Sequence, residues 1–352
     1  MIRSITINDF IGLKENIPLI DVRTPAEFLQ GHIPGAFSVP LFNDEERVKV
    51  GTTYKQLGRE QAILLGFDLT GSKWSGFIKQ ALQIAPDKKI SVHCWRGGMR
   101  SGAMAWALDL YGFEVYLIQG GYKKYRNWVH LQFENNYMLT IVGGMTGSGK
   151  TKLLHELRLG GQQVIDLEDL AQHQGSTYGT MNKMVQPTQE QFENNLANDL
   201  KSMNSEQRIW AEDESLTIGK RSIPNAFWHQ MRNAVMIDIQ VDLEHRVATL
   251  TKEYGGLDKT FLIECTERIR KRLGPAQTKN AINAIREGPM EEFIRLALVY
   301  YDKTYRTGLL KRDVDKVYTL TIDPEDLPAS TASILNFVSN IQSAKHNGHY
   351  TG

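Results

Sequence analysis

Leu139-Thr140-Ile141-Val142-Gly143 runs straight into Gly144-Met145-Thr146-Gly147-Ser148-Gly149-Lys150-Thr151. An apolar run of strand length, glycines at fixed spacing and a helix-forming stretch predict a strand, a phosphate-binding loop and a helix N-terminus in succession. That order makes the second half of the chain an α/β unit. The backbone amides of Gly144, Gly147, Ser148 and Gly149 can cradle phosphate oxygens. Lys150 can neutralise the terminal ones, and Thr151 can hold a magnesium ion. Such a loop reads phosphates and not bases, so ATP and other polyphosphates both stay open as ligands. An acid should end a neighbouring strand. Glu212, Asp213 and Glu214 follow Ile209-Trp210-Ala211, Asp166 follows Val164-Ile165, and Asp238 follows Met236-Ile237. Of these, Asp213 is the preferred candidate.

Fifty residues upstream stands a second loop, His93-Cys94-Trp95-Arg96-Gly97-Gly98-Met99-Arg100-Ser101-Gly102. A thiol is a nucleophile only as the thiolate. Between a strand (Ile90-Ser91-Val92-His93) and a helix (102–111), Cys94 meets backbone N–H groups and a helix N-terminus, which lower its pKa. Gly97, Gly98 and Gly102 let the backbone curl into an anion-holding nest, and Arg96 and Arg100 add positive charge. Cys94, Arg96 and Arg100 are therefore the candidate catalytic set. A buried structural cysteine would not be crowded by glycine and arginine in this way.

At 352 residues the chain suits two domains. Residues 1–130 read as one α/β unit and 138–344 as another, with the boundary in the polar stretch around 125–137. In the first unit Pro18-Leu19-Ile20-Asp21-Val22-Arg23 and Glu114-Val115-Tyr116-Leu117-Ile118 read as strands. Thr24, Pro25 and Glu27 read as a capped helix start. In the second, strands are expected at 163–166, 208–211, 234–237 and 317–320, and residues 243–312 look helical. The two cysteines lie far apart in different contexts, so no disulfide framework is expected and a reduced cytosol is the natural home. No apolar run approaches the ~20 residues that span a bilayer, so no membrane partner is expected. Nothing has metal-ligand spacing. Net charge is only +1, yet residues 268–312 hold eleven Lys/Arg against four acids, beginning with Arg268, Arg270, Lys271 and Arg272. That concentration is the footprint expected for a nucleic-acid backbone, and the interleaved Tyr300, Tyr301 and Tyr305 could stack a base.

The first unit resembles the rhodanese family in Leu19-Ile20-Asp21-Val22-Arg23, Glu27-Phe28, Gly31-His32-Ile33-Pro34-Gly35-Ala36, the Cys94 loop, and Gly112-Phe113 through Gly120-Gly121-Tyr122. The resemblance implies a cysteine that carries a persulfide or related chalcogen adduct, with Asp21, Arg23 and His32 as scaffold. One departure matters. Arg100 lies six residues after Cys94, where many rhodaneses have five. The longer spacing also occurs in Cdc25-like phosphatases and suits a larger oxyanion, so phosphatase chemistry stays a rival.

The blocks from Asp166 to Ser176 and from Glu212 to Gly219, with Ile223-Pro224, extend the likeness. Across about residues 5–340 the chain resembles the bacterial tRNA 2-selenouridine synthase family. The resemblance implies replacement of sulfur by selenium in the wobble 2-thiouridine of tRNA, with selenophosphate as donor. It also implies S-geranylation from geranyl diphosphate, with the anticodon region of tRNA as partner and a selenophosphate-supplying enzyme as a possible second one. The alternative is a P-loop small-molecule kinase with a rhodanese or phosphatase-like regulatory domain. Intact Cys94, Lys150 and Thr151 argue against a non-catalytic binding protein.

Overall fold

The computed structural model describes residues 1–174, 178, 185–288 and 290–347. It divides into two compact units, one of residues 1–132 and 190–198, the other of 133–189 and 199–352. No helix among the described residues is long and apolar enough to cross a membrane.

The first unit is built on five strands, β1 (Ile2–Ile5), β2 (Leu19–Asp21), β3 (Phe37–Ser38), β4 (Lys89–His93) and β5 (Glu114–Ile118). They lie parallel in the order β1-β5-β4-β2-β3. Parallel strands with helices on both faces must be apolar on both faces. Ile20, Val22, Ile90, Val92 and Val115 meet that demand and pack against Met104, Leu108 and Phe113. The helix Pro25–Gln30 starts as expected. Thr24 accepts from the Glu27 amide at 3.3 Å and Glu27 accepts from the Thr24 amide at 2.9 Å, a closed capping box. The helix Met99–Leu110 begins at the end of the Cys94 loop.

The second unit carries β6 (Leu139–Gly144), β7 (Gln163–Ile165), β8 (Ile209–Glu212), a short antiparallel pair β9 (Thr217–Ile218) and β10 (Arg221–Ser222), β11 (Val235–Gln240) and β12 (Val317–Thr321). The main sheet is parallel in the order β12-β11-β6-β8-β7. β6 is central, so the loop after it opens in the middle of the sheet's carboxyl edge, where α/β proteins bind ligands. Every strand expected in this half forms, four of them within a residue of the expected bounds and β11 three residues longer at its end. Residues 243–312 are helical as expected, in five segments from Leu243–Tyr254 to Met290–Leu309. Their own core holds Leu262, Cys265, Ile285, Phe293 and Leu298. Cys265 is thus a packing residue, and burial pushes its thiol up.

β1, β3 and the helices Asp44–Leu57, Arg59–Thr70 and Trp74–Ile84 were not legible as a pattern. β3 is two residues long, and neither of the first two helices shows a clean apolar stripe. Val48, Leu57, Leu64 and Phe67 all lie exposed there.

Candidate functional site

β4 ends at His93 and delivers Cys94 to the carboxyl edge of the first sheet. Cys94 is 3% exposed, and its Sγ lies 3.2 Å from the Ser101 hydroxyl. The loop is clamped from one side. The Tyr122 amide donates to the Cys94 carbonyl and the Lys123 amide to the Trp95 carbonyl, both at 2.9 Å. Gly121 makes that approach possible, because a Cβ there would stand 2.1 Å from the Cys94 carbonyl oxygen and its φ is +53°. Among the described residues no carbonyl or side chain accepts from the amides of Trp95, Arg96, Gly97 and Gly98. These donors and the first amides of the helix Met99–Leu110 lie in the loop that carries the sulfur, and free amides of this kind can bind an anion.

Charge around Cys94 is arranged by buried pairs. Asp21 and Arg23 are both buried, with Arg23 Nη2 2.6 Å from Asp21 Oδ2. Burial opposes the Asp21 charge, but His93 and Arg23 outweigh it and hold the carboxyl below its usual range. Burial pushes the His93 imidazole down, with the Asp21 charge opposing the fall. Arg100 makes a two-pronged bond with Glu27, at 2.5 and 3.2 Å. Burial works against this guanidinium's charge, and the Glu27 bonds more than restore it. Arg96 is exposed at the loop tip, as is part of Trp95. His32 stacks on Phe28 at 3.9 Å and bonds its carbonyl, a scaffold position.

In the second unit Gly144, Gly147 and Gly149 all take positive φ (152°, 81° and 80°), which gives the loop after β6 its curl. Lys150 Nζ folds back on the Gly144 carbonyl at 2.8 Å, and the Ser148 hydroxyl is buried without a partner among the described residues. Arg246, buried, braces the loop from behind. It donates to the Thr146 carbonyl at 2.9 Å and is itself gripped by Asp302 at 2.5 Å.

The loop lines a cavity of about 1120 Å³. Its rim carries Lys150, Thr151, Glu168, Glu212 and Glu214, and its wall is apolar or aromatic at Leu216, Trp228, Leu250, Tyr254 and Tyr301. Glu212 ends β8 fully buried. One of its oxygens accepts from the Glu168 amide at 2.9 Å and the other has no partner among the described residues. Burial pushes Glu168 up to about 7 and Glu214 up to about 8, with Lys150 opposing the rise in both. Asp213, the preferred strand-end acid, is held by Arg312 at 2.5 Å and by Arg232 at 3.5 Å. Glu168, by contrast, lies 3.5 Å from the Thr151 hydroxyl. Asp238 accepts from the Tyr305 hydroxyl, and burial pushes its carboxyl up. The oxygen-only donors Thr151 and Glu168 fit a hard cation such as magnesium. Among the described residues no three acids, histidines or cysteines are grouped to hold a metal alone. Phosphate oxygens and water would have to complete its shell.

Arg268, at the end of the helix Lys259–Arg268, and Arg270, Lys271 and Arg272, in the short helical turn Arg270–Leu273 that follows it, lie exposed. Arg270 pairs with Glu267 at 3.3 Å, and Arg272 reaches the Tyr300 hydroxyl at 3.5 Å. Arg312, at the far end of the basic stretch, is buried on Asp213 and belongs to no exposed patch.

Residues 7–127 match the rhodanese-like domain family, and residues 137–324 match the tRNA 2-selenouridine synthase AAA domain family. The chain is 39% identical over 290 residues to the tRNA 2-selenouridine synthase of Nitrosomonas europaea, across 80% of this chain and 74% of that protein. The chain belongs to the tRNA 2-selenouridine synthase family. Two further synthases, from Shewanella frigidimarina and Sulfurovum sp., are each 34% identical; they cover 85% and 91% of this chain and 90% and 91% of their own lengths. Of the synthase-like block Asp166–Ser176, Gly175 and Ser176 lie outside the described residues. Glu168 stands inside it, and a search of that block for an acid facing the loop would have found it. Arg246 has no such signal, since it is one hundred residues from the loop it braces.

Proposed function

We propose that this chain replaces sulfur by selenium in the wobble 2-thiouridine of tRNA, through an S-geranyl intermediate. The observation that carries the reading is the pairing, in one family member, of a buried Cys94 beside the Ser101 hydroxyl with a phosphate loop whose cavity also has an apolar wall. A phosphate loop alone would suit ATP. A cavity of about 1120 Å³ that joins the loop to Leu216, Trp228 and Leu250 also suits a diphosphate with a hydrocarbon tail.

In the first step the thione sulfur attacks C1 of geranyl diphosphate, diphosphate departs and the uracil N3 proton is lost. Lys150 and the loop amides offset the charge that builds on the departing diphosphate, which is stabilisation realised in the transition state. Magnesium, when bound at Thr151 and Glu168, would add a further positive charge there. In the second step the Cys94 thiolate attacks C2 and geranylthiol departs with a proton from solvent; selenium of selenophosphate then attacks C2 and displaces Cys94, and water cleaves the Se–P bond to release phosphate. The amides of residues 95–98 and Arg96 bind the donor's oxyanion, and Cys94 is the soft nucleophile. The exposed turn at Arg268–Arg272 holds the tRNA backbone.

The test is mass analysis of nucleosides from 2-thiouridine tRNA incubated with the protein. Geranyl diphosphate alone should give S-geranyl-2-thiouridine, and addition of selenophosphate should give 2-selenouridine. If ATP is required for the first product, the loop serves a nucleotide and the diphosphate reading fails.

A further inference from the structure

The Cys94 loop is held by a segment that follows it by about a hundred residues. Glu190–Asn198 belongs to the first unit although it lies between β7 and β8 in the chain. Its contacts converge on one side chain. Tyr122 donates its hydroxyl to Glu190 Oε1 at 2.8 Å and accepts from Asn194 Nδ2 at 2.7 Å. Asn194 is fully buried and also donates to the His32 carbonyl at 2.9 Å, while its Oδ1 accepts from Arg126 at 2.5 Å. A Cβ on Gly31 would stand 2.8 Å from both Glu190 Oε1 and the Tyr122 hydroxyl, so the cluster closes tightly.

Tyr122 in turn reaches several parts of the cysteine site. Its amide holds the Cys94 carbonyl at 2.9 Å. Its ring carries the Arg23 guanidinium at 3.7 Å and lies 5.7 Å from the Trp95 ring. Arg23 continues to Asp21, and Asp21 lies 3.6 Å from His93, the residue before Cys94. A shift of Tyr122 would therefore move the Cys94 carbonyl, the loop behind it and the buried charges beside it together.

We propose that Glu190 and Asn194 are positioning residues for Cys94, acting through the Tyr122 hydroxyl. With both bonds made, the tyrosine is locked and the loop holds the sulfur in its reactive setting. With either lost, a buried polar group is left unpaired and the ring can relax. The proposal rests on the reading of Cys94 as the nucleophile.

The experiment measures the rate of Cys94 alkylation by iodoacetamide against pH in the full chain, with the modified peptide identified by mass. The variants are Asn194→Ala, Tyr122→Phe and Glu193→Ala. Tyr122→Phe removes the same hydroxyl but keeps the ring, so it serves if Asn194→Ala fails to fold. Glu193→Ala breaks the ion pair with Arg126 on the same helix without touching Tyr122. Asn194→Ala and Tyr122→Phe should slow alkylation about tenfold at neutral pH, as expected when the loop no longer holds the sulfur in its reactive setting. Glu193→Ala should leave the profile in place. An unchanged profile in Tyr122→Phe, or an equal change in Glu193→Ala, overturns the proposal. Normal selenation by Cys94→Ser would instead sink the nucleophile reading and leave the alkylation result standing.

Discussion

At the scale of single residues, the legible ones are those whose chemistry is local in sequence. Cys94 and Lys150 stand out because their partners, glycines and a helix start, lie within eight residues. Glu190, Asn194 and Arg246 do not, because each acts on a group about seventy to one hundred residues away. Arg100 is an intermediate case. Its charge was legible, but its two-pronged bond to Glu27 across 73 residues was not. That pair sets a pH dependence. Burial resists the Glu27 charge, and Arg100 and the Thr24 amide outweigh burial, so the folded carboxyl lies below its ordinary value of 4.5. A depressed carboxyl contributes stability that is complete above the unfolded value and is lost as pH falls through the folded one. Glu27→Gln should therefore lower stability at pH 7 by about 1 kcal/mol. The difference from the parent should shrink in acid below pH ~4 as both carboxyl forms become neutral. Urea midpoints measured from pH 3 to 7 would check this; a difference that stays constant across the range would mean that shape and not charge is at stake.

At the scale of elements, capping and periodicity carried the reading furthest. The Thr24–Glu27 box and the strand-loop-helix at 139–159 are written in contiguous residues, and both form. Elements with no such local code escaped: a two-residue strand is fixed by its neighbour β2, not by its own pattern. The basic turn shows the opposite limit. Its composition was plain, but only the structure separates exposed Arg270 and Arg272 from Arg312, which is spent on Asp213. Reversing the charge of Arg270 and Arg272 to Glu should weaken tRNA binding and reduce the slope of log affinity against log salt by about two, since each phosphate contact contributes about one. Fluorescence anisotropy at several salt concentrations reads that slope directly. An unchanged slope would mean that the turn is a solvated face.

At the scale of the whole molecule, the sequence order of two α/β halves was readable, because each half carries its own signature loop. That residues 190–198 belong to the first unit was not readable, because the helix Gln189–Ser202 has no motif to say which core it joins. On the proposed function one chain runs two chemistries with two separate loops. Nucleoside mass analysis of tRNA treated with the parent, Cys94→Ser and Lys150→Ala proteins, each given geranyl diphosphate and selenophosphate, tests it most directly. Cys94→Ser should stop at S-geranyl-2-thiouridine. Lys150→Ala should leave 2-thiouridine untouched, yet convert tRNA supplied already geranylated into 2-selenouridine. Selenouridine formed normally by Cys94→Ser, or pre-geranylated tRNA left unconverted by a Lys150→Ala protein that still binds it, would contradict the account.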